Sequence, residues 1–178
     1  AYFIDTNIFV ACLRSRAPQA RARFLEHAPW EIRVPFQVVA ELKLGAAKSA
    51  RPVHHAHEVS LILSPFVIAW PDPEAVDHYV DIRASLEKTG ISISQPDLWI
   101  AAIARAAGGV LVTQNRGEFA RVSGLALENW LERDWMAFCN LGHRPDQILP
   151  QTAAFLGKPE QVAAMKAVID PSLHRARK

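Results

Sequence analysis

Short apolar runs alternate with longer stretches of helical period along this chain, and that alternation sets the fold class. Tyr2-Phe3-Ile4 is a buried-strand pattern ending at Asp5, after which Ile8, Phe9, Ala11, Cys12 and Leu13 recur at helical spacing. A second helix is predicted over residues 18–27, carrying Arg21 and Arg23 outward. Residues 32–34 read as a short strand, and Pro35 suits the first turn of a helix running through Val38, Val39, Leu42 and Ala46. Another helix follows Pro52. Residues 66–69 read as a strand and 73–89 as a helix that Gly90 ends. Ser94 is a cap for a helix with Asp97 in its first turn, and Gly108-Gly109 stops that helix. Residues 110–113 form a buried-strand pattern, 114–117 a polar loop, and 125–128 a last short strand. Strands alternating with helices imply an α/β domain with a mostly parallel sheet flanked by helices.

Composition narrows the class. The chain has 178 residues, enough for one sizeable core and an appendage, and half of them are apolar. No apolar run reaches the roughly 20 residues that cross a bilayer. The N-terminus lacks a basic-then-apolar leader pattern, so the cytoplasm is the expected location. Two cysteines, Cys12 and Cys139, give neither a disulfide framework nor a zinc site, and Cys12 reads as helix core. The net charge of +2 is unevenly spread: residues 1–51 hold eight Lys/Arg against four acids, the remainder twelve against fourteen. A basic N-terminal third around an acidic centre suits a phosphate-backbone ligand, and solvated helix faces would give the same count.

The candidate chemistry is acidic. In open α/β sheets ligands bind beyond the carboxyl ends of the strands. Asp5 ends the first strand, Asn115 and Glu118 follow the strand at 110–113, Asp97 opens a helix, and Glu41 sits early in another among Val38, Val39 and Leu42. Four carboxylates drawn together would repel unless protons or a divalent cation neutralised them, and hard cations such as Mg²⁺ take oxygen ligands. A bound cation activates water and stabilises charge on a phosphodiester, so the lack of a Ser/His/Asp or Cys/His set is no obstacle.

These residues also carry a resemblance. Phe3-Ile4-Asp5-Thr6-Asn7 resembles the opening motif of PIN domains. Val39-Ala40-Glu41-Leu42 with Gly45 and Lys48-Ser49 is similar to their second acidic motif, and residues 96–102 to the third. Residues 111–119, with Val122, Gly124-Leu125 and Glu128-Asn129-Trp130, are similar to the fourth and to the closing strand. The four occur in order over residues 1–130, with the greatest likeness to VapC-type toxins. The resemblance implies a three-layer α/β domain and a Mg²⁺- or Mn²⁺-dependent endoribonuclease cutting structured RNA such as tRNA. It further implies a homodimer restrained by a VapB-type antitoxin. By motif, Asp5, Glu41, Asp97 and Glu118 are its catalytic and metal-site acids, with Thr6, Asn115 and Thr113 in support. Many PIN domains have aspartate where this chain has Asn115.

Other features are read more plainly. Arg14, Arg16, Arg21, Arg23 and Lys43 are candidate RNA contacts. His54, His55 and His57 share no single helical face and read as a solvated surface; Trp99, Trp130 and Trp135 read as core. Residues 131–178 are expected to be a helical extension, with helices over 144–156 and 159–169 and a basic end. That stretch resembles the end of sulfotransferase-like domains, without a phosphosulfate-binding loop. Competing classes are a PIN-like module that binds RNA or protein without turnover, and a haloacid-dehalogenase-like phosphatase, which Asn7 opposes by standing where a second Asp is needed.

Overall fold

The computed structural model describes residues 1–14 and 17–131; the expected helices at 144–156 and 159–169, and Arg16, Trp135 and Cys139, lie outside them. Five short strands form one parallel sheet: β1 (Tyr2–Ile4), β2 (Ile32–Pro35), β3 (Val67–Ala69), β4 (Val110–Val112) and β5 (Ala126–Glu128). Their order is β3-β2-β1-β4-β5. The chain therefore steps outward from β1 on one side, then returns to place β4 on the other. That reversal leaves a crevice between the ends of β1 and β4, the switch point where open α/β sheets take ligands.

Among the described residues seven α-helices fill the connections: α1 (Thr6–Leu13), α2 (Pro18–Glu26), α3 (Phe36–Ala47), α4 (Pro52–Leu63), α5 (Pro73–Lys88), α6 (Gln95–Ala106) and the one-turn α7 (Arg116–Phe119). Parallel strands in this order, joined by the right-handed crossovers that are the general rule, put α1–α4 on one face and α5–α7 on the other, which gives three layers. α3 packs along α4 and α5 along α6. Phe9, Phe24 and Phe66 meet with ring centroids 5.5–6.1 Å apart, and Trp130 seats edge-on against Phe24 at 5.2 Å. Cys12 lies on the buried side of α1, and burial pushes its thiol up to about 12.

Local signals match the elements they predict. Asp5 and Ser94 are the N-caps of α1 and α6, and Gly108, at φ 57°, follows the end of α6. Gly109 has a different reason to be glycine: a Cβ there would meet the Phe3 ring at 2.4 Å. Two expectations are corrected. Pro35 is the N-cap of α3 and the last residue of β2 rather than a first-turn residue, because β2 runs directly into the helix. The loop expected at 114–117 instead opens α7, too short for any 3.6-residue period to register. Among the described residues no helix is long and apolar enough to cross a membrane.

Candidate active site

The switch point is built around Asp5. Its backbone N–H donates to the Val112 carbonyl, extending the β1–β4 pairing by one residue, so the side chain emerges where the two strands end. The carboxylate is 5% exposed and accepts three short bonds: Thr6 N–H to Oδ1 at 2.6 Å, Asn7 Nδ2 to Oδ2 at 2.5 Å, and Thr113 Oγ1 to Oδ2 at 2.6 Å. Asn7 ties the assembly together. It also donates to Thr113 Oγ1 at 3.2 Å and accepts from the Gln114 N–H at 3.0 Å. Thr113, fully buried, accepts the Asn115 N–H at 2.9 Å.

The remaining acids arrive on helices. Glu41, on an exposed position of α3, accepts Thr6 Oγ1 on Oε2 at 2.5 Å. Asp97 accepts the Ser94 hydroxyl at 2.6 Å, and Asn115 Nδ2 donates to Glu118 Oε2 at 2.6 Å. Their charges are felt in common. Burial raises the Asp5 carboxyl above its ordinary value, with Asp97 and Glu41 adding to the rise against the bonds from Thr113 and Thr6. Burial likewise raises Asp97, helped by Glu118 and Glu41 and opposed by the Ser94 bond. The structure thus brings Asp5, Glu41 and Asp97 into one mutually repelling set, with Glu118 attached through Asp97.

Such a set fits a hard divalent cation. Its donors are carboxylate oxygens, and burial first, then the neighbouring acids, makes their charge costly to hold without a cation. The fit leaves room for water: no three of these acids bring oxygens within 4.8 Å of one another among the described residues. Mg²⁺ keeps several of its own waters and is commonly bound through one or two carboxylates, so not all four acids need touch it. From Thr6 and Glu41 a cleft of about 300 Å³ runs between α1, α3 and α4, past Arg14 to His55 and Glu58.

The candidate basic residues separate. Arg14 is exposed on the cleft. Arg21 and Arg23 do not face outward as expected. Arg21 turns back to donate to the Cys12 carbonyl in the last turn of α1 at 2.6 Å. Arg23 pairs with Glu128 at 2.8 Å and lies over the Trp130 ring at 5.2 Å, because β5 brings an acid and an aromatic to α2. Lys43 is exposed, but two residues at about 100° each put it on the far side of α3 from Glu41. Trp130 is core as expected, whereas Trp99 is half-buried and stacks on Tyr79 at 4.3 Å.

The architecture and the acids coincide with a family. A model described as PIN domain matches residues 2–125. This chain belongs to the PIN-domain family. Within it the chain is of the VapC type. Ribonuclease VapC2 of Haemophilus influenzae is 37% identical over 130 residues, covering 73% of this chain and 98% of that protein. The tRNA(fMet)-specific endonuclease VapC of Shigella flexneri is 31% identical over 129 residues, covering 72% and 97%. Among solved structures, VapBC2 from Rickettsia felis, bound to a DNA fragment from its promoter, matches at TM-score 0.67 and 30% identity, covering 72% of this chain and 98% of that one.

Sequence reasoning missed two features of this PIN domain. Asn7 clamps Asp5 to Thr113; its place inside the opening motif was the available signal. Glu58 was missed as the residue on which His54 and His55 converge, since only the three histidines were compared.

Proposed function

We propose that this VapC-type PIN domain is a toxin endoribonuclease that hydrolyses phosphodiester bonds with a divalent cation, Mg²⁺ or Mn²⁺, held by Asp5, Glu41, Asp97 and Glu118. The observation that carries the reading is the buried Asp5 carboxylate at the switch point, gripped by Thr6 and Thr113 and joined through Thr6 to Glu41, with Asp97 and Glu118 in the same electrostatic set. When bound, the cation supplies positive charge to the scissile phosphate and makes a water more acidic.

The side chains of the protein do the placing. Asn7 and Thr113 hold Asp5 in one orientation, Thr6 aims Glu41, Ser94 aims Asp97, and Asn115 aims Glu118. Arg14 offers a phosphate contact along the cleft. The substrate is structured RNA such as tRNA, in keeping with the name of the Shigella flexneri relative. The VapBC neighbours support a VapB-type antitoxin as partner; the homodimer and the cytoplasmic location belong to the same reading and rest on the family resemblance. Residues 1–130 form the nuclease unit and 131–178 an extension.

The test is cleavage of a tRNA pool by the purified chain with and without EDTA. Activity should vanish in EDTA, return with Mg²⁺ or Mn²⁺, and fail to return in Asp5→Asn that keeps its circular dichroism spectrum. Undiminished cleavage in EDTA overturns the proposal.

A further inference from the structure

The geometry of α4 points to a second cation site: we propose that His54, His55 and Glu58 bind a borderline divalent ion such as Zn²⁺ on the wall of the cleft. A helix turns about 100° per residue, so Glu58 falls between the directions of His54 and His55, and the three span about 100° of the helix surface. His57 lies outside that arc. His54 Nε2 stands 3.6 Å from Glu58 Oε1, and the two imidazole rings are 5.5 Å apart. One ligand atom from each of the three lies within 4.8 Å of the other two.

Closing that triangle is easy. Ligands about 2.0–2.1 Å from one ion sit roughly 3–3.5 Å from each other. The side chains of His54 and Glu58 are 53% and 38% exposed, so small rotamer changes bring them in without breaking the core. The donor chemistry then separates this place from the carboxylates. Two imidazoles and one carboxylate suit Zn²⁺, Ni²⁺ or Co²⁺, whereas Mg²⁺ prefers an all-oxygen shell. Three protein ligands leave an open coordination position, as catalytic and exchangeable zinc sites do. His55 and Glu58 line the same cleft as Thr6 and Glu41, so an ion here adds positive charge along the path that leads to the acids.

The experiment counts Zn²⁺ bound by the full chain in excess Mg²⁺, which keeps the carboxylates occupied. Wild type should bind one equivalent more than the His54→Ala/His55→Ala double variant. Glu58→Gln should bind that equivalent about tenfold or more weakly, since even partners outside the ligand shell are worth tenfold. His57→Ala and Asp97→Asn should retain it. Equal binding by wild type and the double variant overturns the site, as does loss of the extra equivalent in Asp97→Asn. Zn²⁺ should also move the imidazole nitrogen signals of His54 and His55 in wild-type protein; unmoved signals refute the proposal without recourse to any variant.

Discussion

Two halves of the acidic site are built differently. At the centre of the sheet, Asp5 is buried and gripped by three donors from Thr6, Asn7 and Thr113. At the rim, Glu41, Asp97 and Glu118 are more exposed, and each takes one short side-chain bond, from Thr6, Ser94 and Asn115 respectively. Burial makes a fixed carboxylate expensive and therefore demands several donors. Exposure lets an acid adjust to its ligand with little held in advance. The centre supplies geometry, and the rim supplies charge.

The largest expected effect tests whether the rim acids are equal. Glu41 acts on both Asp5 and Asp97, whereas Glu118 acts on Asp97. Glu41→Gln should lower cleavage by about 10²–10³-fold, the scale of several kcal/mol of transition-state charge stabilisation. Glu118→Gln should cost about tenfold or less. Single-turnover rates on one RNA decide it, and equal losses would erase the distinction.

Next is the centre. Thr113→Val removes a fully buried hydroxyl that donates to Asp5 and accepts the Asn115 N–H. Leaving those partners unmatched costs about 1–3 kcal/mol, which lowers Tm by several degrees in a domain of this size. Thr6→Val, at the half-buried edge, should shift Tm far less. A reversed order in thermal melts would break the contrast between the halves.

Asp97 gives the pH dependence. Its folded value is raised above the ordinary 3.8, so in metal-free protein its favourable share of stability is complete below that value and is lost as pH rises through the folded value. Asp97→Asn should therefore melt like wild type near pH 3.5 and about 1–3 °C higher at pH 7, with the gap closing when Mg²⁺ is added. A lower Tm than wild type at pH 7 would contradict the repulsion described.

The smallest effect lies at Asn115. Asn115→Asp replaces the donor to Glu118 with a like charge. Metal-free Tm should fall by about 1–2 °C and Mn²⁺ should bind more tightly, as added ligand charge favours a hard cation. A metal-free thermal melt checks the first and a calorimetric Mn²⁺ titration the second.

Much of this was legible in the chain. The run Tyr2-Phe3-Ile4 ending in Asp5, the Ser94 cap three residues before Asp97, and the glycines after α5 and α6 are local signals, and the structure keeps each of them. What escaped notice depends on distant partners. Helical period sent Arg23 outward because nothing near it announces Glu128 and Trp130, which only the closing strand delivers. Asn7 could be placed in a motif, but its hold on Thr113 spans 106 positions and exists only once β1 and β4 are adjacent. α7 is a single turn, shorter than the pattern used to find helices.

The inertness of Cys12 has a practical side. A thiol held at about 12 on the buried side of α1 is a poor nucleophile while the helix stays in place. Alkylation of Cys12 in a Cys139→Ser background would therefore time the transient opening of the segment that carries Thr6 and Asn7. Slower labelling with Mn²⁺ present would turn an unreactive sulfur into a clock for how firmly the bound ion locks the first helix onto the sheet.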